Sequence, residues 1–131
     1  MPISSSWLDE EKHIMCTRIV GNWDVKDYYD AFSVTRKMLS EIEHEIVYIL
    51  DLTRSKEPPI KFLSAAKNTQ RGGNDNIRKL IFVNAGMLTK ILVRTMAATS
   101  GRNAIMSYSN SMAEALEIAE KSRPETARSS R

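Results

Sequence analysis

Nine residues, Glu45-Ile-Val-Tyr-Ile-Leu-Asp-Leu-Thr53, constrain the fold of this chain more than any other stretch. In extended conformation, Ile46, Tyr48, Leu50 and Leu52 share one face, and Val47 and Ile49 share the other. A strand that is apolar on both faces needs cover on both, which is the pattern of a central strand in a parallel sheet. The run then breaks into the polar, proline-closed Arg54-Ser-Lys-Glu-Pro-Pro59. In an open α/β sheet, ligands sit beyond the carboxyl ends of such strands. The break after Thr53 is therefore the expected functional edge.

The segment before it supplies one covering helix. Asp24 is a suitable N-cap, with Asp27 three residues on at the positive end of the helix dipole. Val25, Tyr28, Phe32, Thr35, Leu39 and Ile42 recur at spacings of three and four, so a helix of roughly 20 residues is expected to lie against the sheet. Upstream, His13 to Val20 alternates as a strand. Trp7 to Asp9 reads as a first strand, antiparallel to it across a Glu10-Glu11-Lys12 turn.

Downstream, strand and helix alternate. Pro58-Pro59 opens a helix that Gly72-Gly73 ends, and Arg78 to Asn84 is a buried strand. Met87 to Ser100 is a helix apolar around much of its circumference, and Ala104 to Tyr108 is a short last strand. Ser111-Met-Ala-Glu114 is a capping box for a helix reaching Lys121. The expected domain spans residues 7–122, between a flexible N-terminus (1–6) and a polar, disordered tail (123–131).

No apolar run approaches the roughly 18 residues of a membrane span, and Met1 to Ser6 lacks the features of a signal peptide. Cys16 is the only cysteine, which excludes a disulfide scaffold and leads to the expectation of a reducing, cytoplasmic setting. Charge is unevenly spread. Residues 1–52 hold ten acidic and five basic side chains, whereas residues 53–110 hold two acidic and ten basic. Such a dipolar surface suits an acidic partner or a second copy of the chain.

Ile19-Val-Gly-Asn-Trp-Asp24 before the long helix, Leu50-Asp-Leu-Thr53 ending the third strand, and Ser111-Met-Ala-Glu-Ala-Leu116 opening the last helix carry a resemblance. Together with the order of elements, they resemble the STAS domain, and within it the small stand-alone SpoIIAA-like proteins of bacteria, often grouped with the Sec14 or CRAL-TRIO fold. The resemblance implies an α/β, SpoIIAA-like fold: a mixed, mostly parallel sheet of about five strands with four helices and an antiparallel N-terminal strand. It also implies a non-enzymatic regulatory or binding module that works through protein-protein contacts, self-association included. Its best-known members are switched by phosphorylation of a serine in an Asp-Ser-Ser/Ala-Gly turn. This chain has no such turn in residues 54–59, and Ser55 is the nearest candidate phosphoacceptor.

Catalytic chemistry finds little support. Asp51 lacks the neighbouring carboxylates that a magnesium-dependent phosphoacceptor needs, so its expected work is to bond loop amides. His13 and His44 read as isolated surface histidines, and Cys16 as a packing residue. No metal site and no cofactor are expected. The basic segment offers only Phe62 and Phe82 as aromatics before Tyr108, and both fit the core, so specific nucleic-acid recognition is not expected. The candidate partner-binding rim is Thr53, Arg54, Ser55, Asn84, Gly86 and Tyr108, with an anion held at the helix starting near Met87 as one occupant. Methionines 87, 96, 106 and 112 raise an alternative, a carrier or sensor of a lipid-like ligand beside the third helix, or a dimer face there.

Overall fold

The computed structural model describes residues 2–56, 77–87, 89–91, 94 and 106–122. The expected helix from Pro58 to Gly73, most of the helix after Met87, Ala104–Ile105 and the tail lie outside these residues.

Five strands form one sheet in sequential order: β1 (Ile3–Trp7), β2 (Ile14–Gly21), β3 (Ile46–Ser55), β4 (Ile77–Val83) and β5 (Met106–Ser109). β1 is antiparallel to β2, and every later neighbour is parallel. Helix α1 (Val25–Ser40) and helix α2 (Met112–Lys121) cover opposite faces. The chain is also helical at Met87, Thr89 to Ile91 and Arg94. No helix among the described residues is long and apolar enough to cross a membrane.

β3 is central, as its double-faced pattern requires. On one side Val47 and Ile49 pack with Ile14, Cys16, Ile81 and Val83 beneath Ala115 and Ala119 of α2. Both alanines are fully buried, so the helix sits close to the sheet. On the other side Ile46 packs with Met15 and Leu39, and Leu52 packs with Ile3, Ile19, Trp23, Ala31 and Phe82. Met15, Ile46, Val47, Ile49, Ile81 and Val83 are the largest fully enclosed side chains. Each such burial contributes roughly 1.5–3 kcal/mol.

α1 begins at the expected cap. Asp24 Oδ1 accepts from the Asp27 amide at 2.8 Å, and Asp27 Oδ2 accepts from the Asp24 amide at 3.0 Å. Its buried stripe is Ala31, Thr35 and Leu39, and it ends at Ser40, two residues short of Ile42, the last member of the apolar periodicity. Ser111 caps α2, its hydroxyl accepting from the Glu114 amide at 3.1 Å.

The N-terminus corrects the sequence reading. The first strand is Ile3–Trp7, not Trp7–Asp9, and residues 3–6 are paired rather than flexible. Serines 4 to 6 have poor strand propensity, but cross-strand partners decide a strand more than propensity does. Ile3 lies opposite Ile19 and Trp7 opposite Met15. Ser5 Oγ is 2.7 Å from both Thr17 Oγ1 and Thr35 Oγ1, tying β1 to β2 and to α1. Asp9 belongs to the turn, where its Oδ1 accepts from the amides of His13 and Ile14, each at 2.9 Å.

Candidate functional site

The carboxyl ends of β2, β3 and β4 and the start of α2 surround an open cleft of about 530 Å³. Its organisation begins with an irregularity in the pairing of β2 with β3. Arg18 lies beside Asp51, but Val20, two residues on, lies beside Arg54, three residues on. One extra residue is therefore accommodated in β3 at Leu52–Thr53, as a β-bulge. In a regular strand Arg54 and Asp51 would point to opposite faces. The bulge returns Arg54 to the face that carries Arg18 and Asp51, and all three line the cleft.

Asp51 is the hub. Its Oδ1 accepts from the Thr53 amide at 3.0 Å and from the Thr53 hydroxyl at 2.6 Å, and its Oδ2 accepts from Arg18 Nε at 3.3 Å. Burial by itself would raise the Asp51 carboxyl. The Thr53 hydroxyl and amide and the Arg18 guanidinium outweigh it and hold the group below its ordinary value. The network continues to β4, where Asn84 Nδ2 donates to Thr53 Oγ1 at 2.9 Å. Asn84 has φ = 54°, a left-handed conformation that asparagine tolerates better than most residues. Its amide donates to the Ser109 carbonyl at 2.9 Å, which carries the connection to β5.

Of the six rim residues expected from sequence, the structure brings Thr53, Arg54 and Asn84 together at this cleft. Ser55 and Tyr108 face the other side of the sheet. Ser55 Oγ accepts from Trp23 Nε1 at 3.1 Å and donates to the Lys56 carbonyl at 2.7 Å. Tyr108 stacks on Phe82 with centroids 5.6 Å apart, and Lys90 Nζ lies 5.6 Å from the Tyr108 centroid. Gly86 is exposed and its carbonyl accepts from the Lys90 amide at 2.9 Å, opening the helical turn after β4. Arg18 and Asn110 line the cleft without having been singled out from sequence, as do Ser111 and Met112, which the sequence marks as a helix cap and as one of the clustered methionines rather than as rim residues. An alternating strand with a basic residue level with Asp51 was the available signal for Arg18.

The histidines differ from expectation. His13 and His44 are not isolated: their ring centroids are 4.3 Å apart. His13 Nδ1 lies 3.5 Å from Asp9 and 3.4 Å from Glu11, and His44 Nε2 lies 2.9 Å from the Lys12 carbonyl. This pair joins the β1–β2 turn to the segment before β3, at the end of the sheet opposite the cleft. Cys16 is buried in the core, and burial pushes its thiol up, as expected of a packing residue. Among the described residues no cluster of His, Cys, Asp and Glu is arranged to hold a metal ion.

No family model matches the chain, and no curated protein matches it. A solved structure does: an uncharacterized protein from the DUF3478 family with a SpoIIAA-like fold, from Shewanella loihica PV-4. It is 14% identical and superposes with a TM-score of 0.66, over 89% of this chain and 91% of that one. The five-stranded mixed sheet with its antiparallel N-terminal pair is a SpoIIAA-like, STAS-type α/β fold.

Proposed function

We propose that this chain is a non-enzymatic STAS-like regulatory or binding module. It engages a protein partner, a second copy of itself included, through the cleft at the carboxyl ends of its central strands. One observation carries the reading: the Arg18–Asp51–Thr53–Asn84 network holds exposed polar side chains in fixed positions around an open cleft. Side chains ordered before binding lose less freedom on association. The same network speaks against acid–base chemistry, because Asp51 is committed to three donors and is a poor proton acceptor in that state. A buried, unpaired thiol at Cys16 accords with a cytoplasmic setting.

Ser55 remains the candidate phosphoacceptor. A phosphoryl group there would displace the hydroxyl from both Trp23 and Lys56, at the end of the strand that carries Arg54. Modification at Ser55 would thus reshape the rim from its far face.

A second reading, a carrier of an apolar ligand, is favoured by Met87 and Ile91, which are 81% and 54% exposed one helical turn apart, after β4. Native mass spectrometry on protein isolated from its own cells separates the two. A protein adduct or homodimer that Arg54→Glu abolishes supports the module. A co-purified lipid on a monomer supports the carrier and contradicts the module.

A further inference from the structure

Two guanidinium groups, those of Arg18 and Arg54, face one cleft, and among the described residues a single carboxylate, Asp51, opposes them. Asp51 is already engaged by the Thr53 amide, the Thr53 hydroxyl and Arg18 Nε. Arg18 uses only Nε in that contact, and its side chain is 56% exposed. Its terminal nitrogens, and the whole Arg54 guanidinium, have no partner among the described residues. The cleft therefore carries one positive charge in excess of its carboxylate, with planar donor groups free to point into it.

We infer that the cleft is an oxyanion site: a carboxylate or phosphoryl group is clamped between Arg18 and Arg54, with the side-chain amide of Asn110 as a further donor at its wall. The inference rests on the reading of the cleft as the recognition surface and names the chemistry it recognises. Guanidinium groups match the geometry of carboxylate and phosphate oxygens, and hydrogen bonds between ionised groups are the strong ones. The amino end of α2, capped by Ser111, opens at the same place, with Glu114 in its first turn offsetting part of its positive potential. A cation is disfavoured by the two arginines. Met112 is the one apolar side chain in the described lining beside Arg18, Asp51, Thr53, Arg54, Asn84, Asn110 and Ser111, whereas apolar ligands take sites lined mostly by hydrophobic side chains. The β-bulge is what makes the site, because without it Arg54 would lie on the other face of the sheet.

The test is an NMR titration of the full chain at low ionic strength, following Arg Nε–Hε signals and the side-chain amides of Asn84 and Asn110. Inorganic phosphate, a tetraglutamate peptide and a phosphoserine peptide of the same length are added in separate arms. The expected result is saturable shifts at Arg18 and Arg54. Arg54→Gln weakens binding by about tenfold or more, in line with the loss of a charge-assisted hydrogen bond. Arg36→Gln, on the exposed side of α1, leaves binding unchanged, and added salt weakens it. Peptides that bind more tightly than phosphate identify the acidic segment of a protein as the source of the oxyanion. Equal or tighter binding of phosphate identifies a free anion at the same site. Absence of saturable shifts in all three arms, or equal affinity for wild type and Arg54→Gln, overturns the inference. If oxyanions fail to bind while the complex from cells still depends on Arg54, only the oxyanion chemistry falls. If oxyanions bind but no complex exists, the oxyanion site stands and the protein-binding reading falls.

Discussion

Val20 is the Cα partner of Arg54, although Arg18 is the partner of Asp51. Two residues of β2 thus span three of β3, and the extra residue turns a side chain from one face of the sheet to the other. That single step separates a central strand with a buried aspartate from a strand end that presents a guanidinium beside it.

The conformation of Asn84 is open to a direct comparison. Its φ of 54° penalises any residue with a Cβ that lacks a compensating polar group, and its side chain also holds Thr53. Asn84→Ala is expected to lose about 1–3 kcal/mol, from left-handed strain and the lost hydrogen bond. Asn84→Gly loses the hydrogen bond without the strain and should be the more stable of the two. Urea unfolding of both variants checks the order, and an alanine variant as stable as wild type would remove the structural role given to Asn84.

Asp51 sets an acid limb. Its carboxyl lies below its ordinary value of 3.8 in the folded chain, so the unfolded state binds the proton first. The stabilisation is complete above about pH 4 and is lost as pH falls through the folded value. Asp51→Asn should therefore destabilise the protein at neutral pH by roughly 1–3 kcal/mol. The gap to wild type should close as pH falls below about 4. Thermal melts of both proteins from neutral to acid pH test this. A gap that is constant with pH would mean that Asp51 carries no ionised role.

Tyr48 sets the alkaline limb. The residue is half-buried, but its hydroxyl end is enclosed by Thr17, Ser5 and Thr35, and it bonds Thr17 Oγ1. Burial raises the phenol above its ordinary 10.0, and the bonds to Thr17, Thr35 and Ser5 offset only part of that rise. With the folded group resisting ionisation, stability is complete below about pH 10 and declines as pH rises further. Tyr48→Phe should cost about 1 kcal/mol at neutral pH, because Thr17 loses a partner. It should also flatten the decline above about pH 10 relative to wild type. Equal alkaline slopes would contradict the enclosed hydroxyl.

Trp23 offers an optical readout of the strand end. Its Nε1–H donates to Ser55 Oγ at 3.1 Å, and the residue is 9% exposed, so Ser55→Ala removes the acceptor of a buried hydrogen bond. A loss of about 1–2 kcal/mol is expected, together with a shift in indole emission. A Trp7→Phe background isolates Trp23, since these are the only two tryptophans. Unchanged emission would mean that the indole does not sense Ser55.

The fold was readable where local pattern and tertiary environment agree. The double-faced run before Thr53, the Asp24 and Ser111 caps and the order of the strands all mark real elements, whereas Asp51 bonds the amide of Thr53 within β3 rather than a loop amide. Three features were not readable, each for a physical reason. Alternation continued past Asp51 places Arg54 on the wrong face, because nothing in the residue types announces a bulge at Leu52–Thr53. Ser4 to Ser6 look like a flexible lead-in, because their strand is stabilised by contacts with Thr17, Ile19 and Thr35 far along the chain. His13 and His44 look isolated, because only the parallel pairing of β2 with β3 brings their rings together.

Site-specific photo-crosslinking in living cells tests the recognition surface most directly. A photoreactive residue is placed at position 112, where Met112 lines the cleft, and, as a control, at position 36 on the exposed side of α1. If the carboxyl-end cleft is the recognition surface, position 112 yields a discrete protein adduct that Arg54→Glu abolishes, and position 36 yields none. Equal adducts at both positions, or an adduct at position 36 alone, would contradict it.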